Sequence, residues 1–376
     1  MEKEIVIKKI ETGAELNQFI NFPHELYKED PIYVPMLQMA ARELLSKKKN
    51  PFFLHSEADN FIAYKNGKVV GRISAVRNNN YNKFHGSNVG FWGFYDVIDD
   101  FDVSKALFDT VVEWNKKHGF ESIIGPVNYT TNDSAAVLVD GFNLPPMIEM
   151  TYNKPYYAEH IEKYGFKNEM DLNAFMITRT KVSERTLRLS DLISQRLNKR
   201  GITIRCINMK DFTNEVKKIK DVYNKAWEKN WGFVPATDEE FDVLAKNFKT
   251  IINPAMVLIA EHEGKFVGFS MAAPNVHEIT INFKNGKLFP FNVFKLLMKK
   301  NKTRYFRIIT LGVIEKYRRS GIAEAFYSYY INFAEEKNYI GAEASWILAN
   351  NAEMNNGIER LNGEKYKTYR IYSIMI

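Results

Sequence analysis

One supersecondary plan is written twice in this chain of 376 residues. "FIAYKNGKVVGRISAV" (61–76) sets two β-rich runs around Asn66-Gly67, a dipeptide that favours a tight hairpin turn. After it come the run "NVGFWGFYDV", the segment "SKALFDTVVEWNKKHG" with Leu107, Phe108, Val111 and Val112 on one helical face, and the run "SIIGPV". In the second half "MVLIAEHEGKFVGFSMAA" turns near Glu263-Gly264, and "RIITLGVI", a helix from Gly321 to Lys337 and "AEASWIL" follow in the same order. Each half also opens with a helical region, "AELNQFINFPHELYK" and "FTNEVKKIKDVYNKAWEKNW".

A repeat at this scale predicts tandem domains, and the length agrees, since one ordinary core does not grow to this size. The expected division is 1–180, a helical linker over 181–200, and 201–376. The linker shows helical spacing at Leu187, Leu189, Leu192, Ile193 and Leu197 and closes at Gly201, a suitable C-cap. One insertion, "PNVHEITINFKNGKLFPFNVFKLLMKKNK", separates hairpin from strand in the second half only.

The single thiol, Cys206, rules out an internal disulfide and a cysteine zinc cluster, and the seven histidines have no metal-ligand spacing, so no metal is expected. The N-terminus lacks the apolar core of a signal peptide and no window reaches a membrane-spanning length, which predicts a cytoplasmic protein without a membrane partner. Charge is uneven: residues 1–180 carry 20 basic and 24 acidic residues, the remainder 32 and 21. From Lys295 to Arg319 nine basic residues meet one acid, Glu315. That field suits a solvated face or a phosphate-rich ligand.

The stretch "LGVIEKYRRSGIAEAFYSYY" (311–330) joins a β-branched run to an amphipathic helix with Ile322, Ala325, Phe326, Tyr329, Tyr330 and Phe333 on one face. A turn there collects free backbone N–H groups and the positive end of a helix dipole beside Arg318 and Arg319, and Gly321 permits close approach to the backbone. Val313 followed by Arg318-x-x-Gly321-Ile322-Ala323 resembles the acyl-CoA pyrophosphate loop of the GCN5-related N-acetyltransferase (GNAT) superfamily. "SWILANNAEMNNGIERLNGEKYKTYRIY" resembles the superfamily's next motif, and over nearly its whole length the chain is similar to bacterial proteins with two fused GNAT-like domains.

The resemblance implies an α+β fold of two tandem domains, each with a mixed, mostly antiparallel sheet flanked by helices. It implies acetyl-CoA or another acyl-CoA in the second domain. Backbone groups of Leu311, Gly312 and Val313 would hold the pantetheine arm. Amides from Arg318, Arg319, Ser320, Gly321, Ile322 and Ala323 would hold the pyrophosphate, and Asn351 would touch the arm or fix the last helix. The first domain departs from the pattern with "IDDFDVSK", whose Asp99, Asp100 and Asp102 suit a helix N-terminus but repel a pyrophosphate.

The implied activity is N-acyl transfer from CoA to the amine of a small molecule or peptide, by direct attack. A base must then take the amine proton. Glu343 is the candidate, with Ser345 and Ile347 on the same strand face by alternation. The Val313 amide is the candidate oxyanion donor. Ile358 stands where relatives carry a tyrosine acid; Tyr366, Tyr369 and Tyr372 follow, with Tyr366 the catalytic candidate, or the thiolate leaves unassisted, its thiol pKa being only about 8.5. Trp227, Trp231 and Phe233 suit either a pocket lining or a domain interface, as does the insertion around "NGKLFPF". Two other readings stand beside this one: a non-catalytic acyl-CoA-binding module, and a tRNA-dependent aminoacyltransferase. The intact loop argues against the latter, and nucleic acid is not the expected partner.

Overall fold

The computed structural model describes residues 4–376, and side chains except those of 184–191, 248, 250 and 251. It resolves into two compact units: 1–172 with 279–297 and 367–376, and 173–278 with 298–366. The expected linker over 181–200 instead lies inside the second unit, which begins at residue 173. Residues 279–297 of the insertion join the first unit, and so do the last ten residues. The reason for the second lies in strand pairing, described below.

The strands, in chain order, are β1 (Ile5–Lys9), β2 (Glu57–Lys65), β3 (Lys68–Arg77), β4 (Val89–Val97), β5 (Ser122–Gly125), β6 (Val137–Asp140), β7 (Lys167–Thr178), β8 (Ile202–Cys206), β9 (Val257–His262), β10 (Lys265–Pro274), β11 (Tyr305–Val313), β12 (Gly341–Leu348) and β13 (Glu364–Met375).

In the first unit β1 to β4 pair antiparallel in sequence order, and β5 joins β4 in parallel. The second unit repeats this with β8 to β11 antiparallel and β12 parallel to β11. The parallel step needs a crossover, which each unit supplies as a helix, Phe101–Lys117 and Ile322–Glu336. Residues 368–375 of β13 pair antiparallel with β6 and β5, which places the C-terminal segment in the first unit.

Both hairpins turn where the sequence indicates. Asn66-Gly67 and Glu263-Gly264 each supply two successive left-handed residues, φ 52° and 74°, and 51° and 72°. Each crossover helix then buries one face on its own sheet. Val103, Leu107, Phe108 and Val111 pack with Trp92 and Ile123 in the first unit. Ile322, Ala325, Phe326 and Tyr330 pack with Phe306, Ala342 and Ala344 in the second.

Candidate active site

In the second unit β11 and β12 are paired only from Tyr305↔Gly341 to Ile308↔Ala344. β11 continues to Val313 held by β10 alone, with a register shift opposite Ile309 that bends the strand. The two strands thus part into a wedge, and the β12-side edge of β11 is left open over Leu311, Gly312 and Val313. Backbone groups on such an edge are free to pair with an extended ligand. The Thr310 hydroxyl is buried there without a partner among the described residues.

Beyond β11 a short 3-10 turn, Glu315–Ser320, leads to Gly321 at φ 100°, and the helix begins at Ile322. No side chain caps that helix, and its first closing bond is the Ala325 amide to the Gly321 carbonyl, 3.0 Å. The amides of Ile322, Ala323 and Glu324 therefore point out of the helix end with its positive dipole. The loop is braced from behind. One Arg318 Nη donates to the Ala226 carbonyl (2.9 Å), Ser320 Oγ to the Tyr317 carbonyl (2.6 Å), and the Tyr317 hydroxyl meets His262 Nδ1 (2.8 Å). Arg319 is exposed. The expected basic contribution thus divides: Arg318 positions the loop and Arg319 carries the outward charge.

Trp227 closes the Phe212–Trp227 helix and lies directly over Gly312; a Cβ there would come within 2.1 Å of the indole. It also packs against Phe269, and Phe233 packs against Tyr223, so both aromatic residues serve the second unit's own core. Asn351 caps the Ala352–Arg360 helix through the Met354 amide (3.2 Å), which is the helix-fixing role of the two expected for it.

The candidate acid–base residues converge at the root of the wedge. Glu343 pairs in register with Arg307, one residue before the strands part. Its side chain is 0% exposed, with Oε1 3.5 Å from Arg307 Nε. Ser345 Oγ donates to the same oxygen (2.5 Å) and accepts from Arg307 Nε (2.8 Å), while Tyr366 Oη donates to Oε2. Tyr366 is half-buried and is the member of the cluster nearest solvent. In the sequence Arg307 belongs only to a basic run; the signal that marks it is its being the one charged residue of β11, opposite Glu343, the one acid of β12.

Strict alternation along β12 does not continue to Ile347, which falls in the apolar cluster with Ala342 and Ala344 rather than with Glu343 and Ser345. Ile358 is wholly buried in that cluster. Tyr369 and Tyr372 are buried in the first unit's portion of β13, and Tyr372 donates to Glu162 (2.9 Å).

The first unit carries the same wedge in filled form. β4 and β5 pair from Val89↔Ser122 to Phe91↔Ile124, and β4 then shifts register at Phe94 and Tyr95. Here the chain itself occupies the open edge. The Val127 amide donates to the Trp92 carbonyl (2.7 Å), and the Phe94 amide donates to Asn128 Oδ1 (2.8 Å). At the helix N-terminus Asp100 Oδ1 accepts from the Asp102 and Val103 amides (3.1 and 3.5 Å), supplying the anion internally.

The sequence pattern of the acetyltransferase (GNAT) family matches residues 216–360. Protein YghO of Escherichia coli (strain K12) is 36% identical over 371 residues, spanning 96% of this chain and 93% of that protein. A protein of Caulobacter vibrioides called bacterial ceramide synthase is 32% identical over 382 residues, spanning 98% and 97%. Among solved structures, a tandem GNAT protein from the clavulanic acid biosynthesis pathway superposes with a TM-score of 0.57 at 12% identity, over 99% of this chain and 98% of that one. Sequence pattern, full-length relatives and repeated sheet topology agree: the chain belongs to the GNAT acetyltransferase family, as a member with two fused GNAT-like domains.

Proposed function

We propose that the second unit is an acyl-CoA-dependent N-acyltransferase that acylates a primary amine. The observation that carries this is the open β11 edge leading directly into an uncapped helix N-terminus. Backbone groups of Leu311, Gly312 and Val313 would pair with the pantetheine arm, and the amides around Gly321 to Ala323, with Arg319, would hold the pyrophosphate. The first unit has both features filled, which supports a single acyl-CoA site per chain.

When bound, the thioester supplies an activated acyl carbonyl and a thiolate leaving group. The residues of this chain then have to manage one proton and one developing negative charge. Glu343 is too deeply buried to meet an amine itself. Tyr366 bridges that gap: its oxygen takes the amine proton as its own proton passes to Glu343 Oε2. Arg307 and Ser345 hold the opposite carboxylate oxygen and keep the acceptor oriented. The Val313 amide, at the end of β11, is the donor offered to the carbonyl oxygen.

For the acceptor we propose a lipid amine of the long-chain amino-alcohol type, because the Caulobacter relative, alike over the full length, is called a ceramide synthase. The test is thiol release from acetyl- through palmitoyl-CoA with a panel of primary amines that includes a long-chain amino alcohol. Release that requires both substrates, and amide formation by mass spectrometry, support the reading. Acyl-CoA binding without thiol release for any amine supports instead a binding module, the reading favoured by the full burial of Glu343 and by Ile358.

A further inference from the structure

The insertion, of which residues 279–297 belong to the first unit, holds a large apolar surface facing solvent. Phe289, Phe291, Phe294, Leu297 and Met298 are from 50% (Leu297) to 73% (Phe291) exposed. Around the Asn292–Lys299 helix, Phe294, Leu297 and Met298 occupy one face at the i, i+3, i+4 spacing, while Val293 and Leu296 are half-buried. Monomeric proteins seldom leave contiguous aromatic surface in water without a use. The segment is fixed to the unit: a Cβ on Gly286 would come within 2.0 Å of the Met36 carbonyl oxygen, and the exposed Met36 and Met39 extend the apolar surface there.

Charge identifies the occupant. Lys284, Lys287 and Lys295 border the apolar residues, all exposed, and none is ion-paired among the described residues. There is no Asp or Glu from 279 to 314. Aromatic and aliphatic side chains fringed by unpaired lysines match the boundary of an anionic lipid surface, where rings enter the acyl region and ammonium groups reach the headgroups. A second copy of the chain fits poorly, since a two-fold contact would bring the lysine fringe against itself. No helix among the described residues is long and apolar enough to cross a membrane. A helix lying in the surface needs no such length, so the absence of a span does not remove membranes as partners.

We propose that the 284–298 segment docks the protein on anionic lipid bilayers. The proposal stands on exposure and charge and does not depend on acyl transfer. The test is co-sedimentation of the full chain with phosphatidylcholine vesicles, with and without a third phosphatidylglycerol; these lipids carry no amine acceptor, so the outcome leaves the enzymatic reading untouched. Binding is expected to the anionic vesicles only, weakening with salt. F291S/F294S should lower the partition coefficient about tenfold or more, and K287Q/K295Q about twenty-five-fold, taking roughly fivefold per lysine near an anionic surface. All four residues are exposed, so native circular dichroism is expected in both variants. Wild-type protein left in the supernatant, or variants that sediment like wild type, would overturn the proposal. So would a wild-type dimer that F291S/F294S converts to monomer, which would show the face covered by a second copy.

Discussion

Arg307 and Glu343 face each other across the parallel β11–β12 pair with both side chains almost fully out of water, Nε to Oε1 3.5 Å. A buried pair of this kind is costly to break from one side, because the remaining charge is left without compensation. Glu343→Gln is therefore expected to lower stability by about 3 kcal/mol as well as turnover, with acyl-CoA affinity little changed. Chemical denaturation and calorimetry on the one variant check both. Wild-type turnover in it would remove Glu343 from the proton path.

Tyr366→Phe separates chemistry from folding. The ring stays and only the hydroxyl is lost from a half-buried position, so stability should fall by about 1 kcal/mol. Turnover should fall roughly 100-fold or more, the usual worth of a positioned proton-transfer group. Measuring kcat and acyl-CoA affinity together tests this; an unchanged kcat would return the tyrosine to a packing role.

The filled wedge of the first unit predicts a different response. Asn128→Ala leaves the Phe94 amide without its acceptor, on a residue already held at φ 46°. The expected loss is about 1–3 kcal/mol of stability, with acyl-CoA affinity unaltered. Denaturant titration alongside ligand binding reads the two effects separately.

His24 gives the first unit a pH dependence. Burial, and then the Arg72 charge, lower its pKa from 6.5 to about 4, and it meets the Tyr33 hydroxyl at 3.2 Å. A depressed pKa means the unfolded chain binds the proton first, so stability present above pH 6.5 is lost as pH falls toward 4. The expected loss over that window is about 3 kcal/mol. His24→Gln should flatten it, as followed by the denaturation midpoint across pH.

Local signals made most of the fold legible. Asn66-Gly67 announced the first hairpin because few other pairs accept two left-handed positions, Gly264 between two β-rich runs marked the second, and the apolar stripe of residues 322–333 announced the crossover helix. The loop from Arg318 to Ala323 was readable for the same reason: its chemistry is carried by contiguous residues. Long-range pairings were not. The return of β13 to β5 and β6 left no mark in the order of elements, since the strand directly follows the second copy in the chain. Nor did alternation reveal that Glu343 would meet Arg307, which is set by the parallel register. The filling of the first wedge by Val127 and Asn128 was equally silent, because a backbone amide and a loop asparagine look the same in sequence whether or not they cap an edge.

The most direct test of the acyl-CoA site is calorimetric titration of acetyl-, octanoyl- and palmitoyl-CoA into wild-type protein and Gly321→Trp. Gly321 sits at φ 100° with Ile193 Cγ2 3.2 Å from where a Cβ would be, at the start of the helix whose amides are to receive the pyrophosphate. One site per chain is predicted, with binding lost in the variant while its circular dichroism stays native. Undiminished affinity in Gly321→Trp, two sites per chain, or no binding of any acyl-CoA by the wild type would contradict it.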